Sequence, residues 1–84
     1  MPYIIKSMRD YFDWIIDNLN SRFTEFGFKG YLNYVLFRVA KEQCKCYADY
    51  AAFIGELEAA KLEIYRRQIA PYEDIKIKQH GDVK

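Results

Sequence analysis

Histidine occurs once in this chain of 84 residues, at position 80, and cysteine only twice, at 44 and 46. These shortages exclude much chemistry. A closed zinc site needs four ligands, and Cys44-Lys-Cys46 is a C-x-C pair, not the C-x-x-C of redox or zinc motifs. Residues two apart on a helix point to nearly opposite sides, so the pair reads as one buried and one exposed thiol. His80 sits in a polar tail with no nucleophile and orienting partner legible beside it, and reads as an exposed tail residue. Two cysteines supply no disulfide framework to brace a small domain. Gly-rich phosphate loops of the G-x-G-x-x-G or Walker type are missing as well. No catalytic residue, metal ligand or cofactor site is legible, and a non-enzyme is expected.

Long apolar runs are also absent. No stretch of about 18 apolar residues exists to cross a membrane. The N-terminal MPYIIKSMRD has too short an apolar core for a signal peptide and soon turns acidic. Reduced cysteines and no export signal lead to the expectation of a cytoplasmic protein without membrane contact. Charge of one sign is lacking too: the net charge is +1. That removes the bulk electrostatic basis for binding long nucleic acid. Residues 1–30 hold four acids and four bases, 31–48 one acid and three bases, and 49–84 seven acids and six bases. Any basic site must be local. No tandem repeat or low-complexity tract is present.

What the chain does have is apolar surface. Hydrophobic residues make up 51% and aromatics 18% of it. A chain this short buries only about 60% of its unfolded surface. That composition exceeds what a small monomer easily hides, so a homo-oligomer is expected, a dimer or higher symmetric assembly built through the third helix.

The periodicity predicts an all-α domain of three to four helices with a central antiparallel helical hairpin. Residues 1–6 read as an extended arm, with Pro2 unable to donate a backbone hydrogen bond. A helix or two short helices follow over 7–26, with Ser7 and Asp13 as candidate N-caps. Met8, Tyr11, Phe12, Ile15, Ile16, Leu19 and Phe23 fall on one side of it, and Asn18, Asn20 and Ser21 weaken its middle. Gly27-Phe28-Lys29-Gly30 is a hinge, with Phe28 expected to plug into the core. The second helix covers 30–46, its apolar face formed by Leu32, Val35, Leu36, Val39 and Gln43, with Tyr31, Tyr34 and Arg38 beside it. Asp49 is the expected N-cap of a long helix over 49–70 that Pro71 stops. That helix carries a greasy face (Phe53, Leu57, Ala60, Ile64) and a line of small residues (Ala48, Ala52, Gly55, Ala59) that admits a close neighbour. Residues 71–84 read as a polar tail with a possible short helix, ended by Gly81.

One cluster stands apart. Tyr65, Arg66 and Arg67 fall at the end of the long helix, and Tyr72, Glu73 and Asp74 follow shortly after. Basic residues suit a helix C-terminus through the helix dipole. The same residue types also suit anion and ring recognition: arginine offers a planar fork for phosphate oxygens, and tyrosine offers a flat face for a base. The candidate ligand-binding set is Tyr65, Arg66, Arg67 and Tyr72, with Asn33, Tyr34 and Lys61 as neighbours. Repeated by symmetry in an oligomer, such clusters would enclose a small nucleotide. The acids Glu58 and Glu63 lie at helical ion-pair spacing from Lys61 and Arg67, which reads as a solvated face worth about 0.2–0.5 kcal/mol per pair.

The blocks GYLNYVLFRV at 30–39, GELEAAKLEIYRR at 55–67 and APYEDIKIKQHGDV at 70–83 resemble a small uncharacterised helical family of phages and prophage-bearing bacteria. The family pattern reads G-x-L-N-Y, then G-x-L-E-x-x-K-L-E-x-Y-R-R, then A-P-Y-E-D-x-K-I and a final G-D-V. It falls here on Gly30 to Tyr34, Gly55 to Arg67, Ala70 to Ile77 and Gly81 to Val83, with the PYI at 2–4 and Phe12-Asp13 also in place. The resemblance implies a viral or prophage setting in a host-cell cytoplasm and supplies no activity. In that setting two binding functions are expected of so small a protein. One is capture of a nucleotide-derived immune signal, an anti-defence role for the Tyr/Arg cluster. The alternative is a protein–protein inhibitor or adaptor that docks on a host or phage protein through an aromatic helical surface.

Overall fold

The computed structural model describes residues 3–83, and the arm's Met1 and Pro2 and the terminal Lys84 lie outside them. Among the described residues the chain is all-helical: α1 (Lys6–Phe26), α2 (Tyr31–Gln43), α3 (Tyr47–Ile64), a π-helical segment (Tyr65–Ile69) and α4 (Ala70–His80). These helices group into two units. One is Tyr3–Phe53; the other begins at Ile54, and α3 carries the chain from the first to the second.

In the first unit α1 is a single helix of 21 residues, not two. Its N-cap is Ile5, with no side-chain cap, in place of the expected Ser7; the Met8 amide donates to the Ile5 carbonyl at 3.0 Å. Asp13 does not interrupt it. The helix runs on through its weak middle and beyond, with hydroxyls bonded to its own carbonyls. Ser21 Oγ donates to the Asp17 carbonyl at 3.1 Å and Thr24 Oγ1 to the Asn20 carbonyl at 2.9 Å, a local alternative to capping. The hinge falls where the glycines require it. Gly27 has φ 84° and Gly30 φ 83°, and the Gly27 amide donates to the Phe23 carbonyl at 2.7 Å. Phe28 is no plug: it is 55% exposed.

Helix α2 ends at Gln43, three residues earlier than expected, because Cys44 turns to an extended conformation. The Lys45 amide then donates to Asp49 Oδ2 at 2.9 Å. Asp49 therefore sits inside the first turn of α3 and reaches back, rather than preceding the helix as its N-cap. Its carboxylate there also complements the helix dipole. The unit has few covered side chains. Leu19, Phe23, Val35, Leu36, Ala40 and Phe53 are half-buried and Cys44 is buried, at 6% exposure. No other described residue is buried.

In the second unit Pro71 does not stop the helical course. Residues Ile64 to Ala70 keep right-handed helical dihedrals, and the Ala70 amide donates to the carbonyl of Tyr65, five residues back. Proline in an α-helix clashes with the carbonyl four residues earlier and removes a donor. A widened π turn just before Pro71 takes up that conflict. Pro71 then lies in the first turn of α4, where its missing N–H is not needed. Gly81, with φ 82°, closes α4 as its sequence position implied; its amide donates to the Ile77 carbonyl at 2.8 Å.

Candidate functional site

Five of the seven predicted ligand-binding residues lie in the unit that begins at Ile54, and Asn33 and Tyr34 lie in the other. Their neighbours differ. Arg66 turns to Glu63, three residues before it: Nε donates to Oε2 at 3.3 Å and Nη2 bonds Oε1. Lys61 pairs with Glu58 at 2.9 Å, on a solvated face where such a pair contributes little. The Tyr72 ring carries the Lys76 ammonium 5.3 Å from its centroid, a cation–π contact within one helix. Tyr65 turns toward Glu73. Its phenol is held above the usual tyrosine value by the hydrogen bond to that carboxylate, then by the negative charges of Glu73 and Asp74.

Arg67 is placed differently. With Ala60, Glu63, Ile64 and Gln68 it lines a shallow groove of about 270 Å³. The groove has an apolar floor, a cation, an amide and a carboxylate. Glu63 is the best covered of these polar groups, with its side chain only 20% exposed.

Tyr34 lies on α2, where Arg38 Nη1 donates to its hydroxyl at 2.9 Å while the guanidinium sits 5.8 Å from the ring centroid. Asn33, next to it, is exposed. Cys44 is buried and Cys46 exposed, as expected, but both lie in the non-helical connector, so helical spacing is not the cause. Among the described residues no group of three or more His, Cys, Asp or Glu side chains is placed to hold a metal ion, and no helix is long and apolar enough to cross a membrane.

Sequence reasoning passed over Trp14. The face drawn through α1 ran along Met8, Tyr11, Phe12, Ile15, Ile16, Leu19 and Phe23 and left the one tryptophan of the chain beside it. In the structure Trp14 is 64% exposed. With Ile15, Asn18, Leu19 and Arg22 it lines a second groove, of about 410 Å³. Tyr11, one turn before Trp14, is exposed as well. The signal was available in residue type: tryptophan, tyrosine and arginine dominate the energetics of protein interfaces, and positions 11, 14, 18 and 22 follow helical spacing.

The chain belongs to a family defined as a domain of unknown function, DUF6899, whose profile matches residues 1–83. No curated protein and no solved structure matches it.

Proposed function

We propose that this protein is a non-enzymatic binding module that docks on a protein partner through the aromatic face of α1. The observation that carries this reading is the groove of Trp14, Ile15, Asn18, Leu19 and Arg22. It joins the residue types that anchor protein interfaces to an apolar surface left open to solvent. The module works as a homo-oligomer in which α2 and α3 form the antiparallel hairpin. In the phage or prophage setting that its sequence pattern resembles, the partner is a host or phage protein in the host cytoplasm, and docking inhibits or redirects it. Capture of a stoichiometric partner from host lysate tests this. Trp14→Ala should reduce capture at least about tenfold, the cost of a hot-spot truncation, with helicity by circular dichroism unchanged. No stoichiometric partner, or equal capture by both proteins, would sink the reading.

A second reading is favoured by the other groove, where Arg67 and Gln68 offer donors over an apolar floor. Here the oligomer sequesters a nucleotide-derived immune signal, with Tyr65, Arg66, Arg67 and Tyr72 around it. The pairing of Arg66 with Glu63 and of Tyr65 with Glu73 gives this reading less support, because each bond must be exchanged for a ligand contact. Thermal-shift measurements with cyclic di- and trinucleotides and ADP-ribose derivatives decide it. Stabilisation lost in Arg67→Ala supports capture; no shift with any of them removes it.

A further inference from the structure

Helix α2 carries a face of a different make-up from the grooves. Between Glu25 and Glu42 the sequence holds no acid and three bases, Lys29, Arg38 and Lys41. Tyr34, Phe37, Arg38 and Lys41 are all exposed. At spacings of three and four they share one side of the helix, and the half-buried Val35, Leu36 and Ala40 lie on the other. The two rings are open to solvent, Tyr34 at 59% and Phe37 at 65% exposure.

The cations of this face are available. Arg22, Lys61 and Arg66 each pair with an acid three residues away. Among the described residues no carboxylate pairs with Arg38 or Lys41. Glu42 follows Arg38 at ion-pair spacing, yet the guanidinium turns back to Tyr34: Nη1 donates to the hydroxyl at 2.9 Å, and the group sits 5.8 Å from the ring centroid. Its remaining N–H donors keep their planar fork for phosphate oxygens. Lys41 follows Phe37 at the same spacing of four. The face is thus two ring–cation pairs side by side, with no aliphatic side chain among them.

We propose that this face binds single-stranded nucleic acid, with bases stacked on Tyr34 and Phe37 and phosphates held by Arg38 and Lys41. Open rings beside cations suit a single strand, which offers unstacked bases and a charged backbone together. An acidic protein segment would engage the cations and leave the rings unused. A duplex keeps its bases stacked and offers the rings nothing. The net charge of +1 supplies no long-range attraction, so the contact is local and short. The inference goes beyond docking through α1 and does not depend on it.

Fluorescence anisotropy of a labelled oligothymidylate, titrated with the full chain, tests this. Two held phosphates should give a slope of log K against log salt of about −1.4, at about −0.7 each. Arg38→Ala and Lys41→Ala should each remove about half of that slope. Phe37→Leu keeps the charge and an apolar side chain; it should weaken binding at least about fivefold with the slope unchanged. Tyr34→Leu gives a second measure of stacking should Phe37→Leu lose helicity by circular dichroism. Lys78→Ala, on α4, should change neither affinity nor slope. No binding at low salt and high micromolar protein overturns the inference, as does a duplex bound as tightly as the single strand. Binding indifferent to both ring substitutions overturns it too, and an oligoglutamate peptide bound equally well would assign the face to acidic proteins instead. None of these readings involves Trp14 or a lysate partner, so this inference and the docking reading fail separately.

Discussion

Tyr65 donates its phenol proton toward Glu73, and the direction of its pKa shift gives a test. The folded chain holds the proton more tightly than the unfolded chain, whose tyrosine titrates near 10.0. Above that pH the native state binds more protons than the unfolded state, so stability falls as pH rises. The contribution is fully present below the unfolded value and disappears as pH climbs through the raised folded one. Urea unfolding at pH 8 and pH 11 should show a smaller loss for Tyr65→Phe than for the wild-type protein; parallel losses would deny the bond. The partner of Tyr65 was not legible. Eight residues on an α-helix do not complete whole turns, whereas seven nearly do. The π segment inserts one residue into the helical course, and positions 65 and 73 then share a face as residues seven apart would. Lys61 and Glu58 were legible because no such insertion separates them.

At the scale of elements, the glycines were readable and the proline was not. Gly27 combines φ 84° with ψ 167°, a region essentially reserved for glycine. A Cβ there would meet nothing within 4 Å, so its cost is backbone strain alone. Gly27→Ala should destabilise the protein by about 1–3 kcal/mol, seen as a lower urea midpoint with an unchanged slope. A loss below a few tenths would show that the hinge tolerates another conformation. Helix existence followed from periodicity: α1 starts at Lys6 where residue 7 was expected, and both end at 26. Helix ends depended on less visible matters. Cys44 breaks α2 although cysteine is no breaker, because the chain must turn for Lys45 to meet Asp49. Pro71 is a breaker by type, yet the helical course passes it because the π turn absorbs its clash. Neither outcome is coded in residue type alone; both depend on hydrogen bonds that form only once the neighbouring turn exists.

At the scale of the molecule, composition pointed to the main structural result. A chain that is 51% hydrophobic and 18% aromatic leaves only Cys44 buried among its described residues. The candidate site was less legible. Tyr65, Arg66, Arg67 and Tyr72 looked like one cluster in sequence, but Arg66 turns to Glu63, Tyr65 to Glu73 and Tyr72 to Lys76, while Arg67 lines the groove of Ile64. Stability of such a chain must depend on what covers it. If a second copy does, folding and association are one equilibrium, and mass action moves it. Unfolding entropy for a pair of chains this size implies that Tm rises by roughly 4 °C for each tenfold increase in protein concentration. Scanning calorimetry across two decades of concentration reads this directly. A midpoint independent of concentration in the wild-type protein would mean that each chain completes its own core. The exposed face of Ile64 would then have to be covered from within the chain.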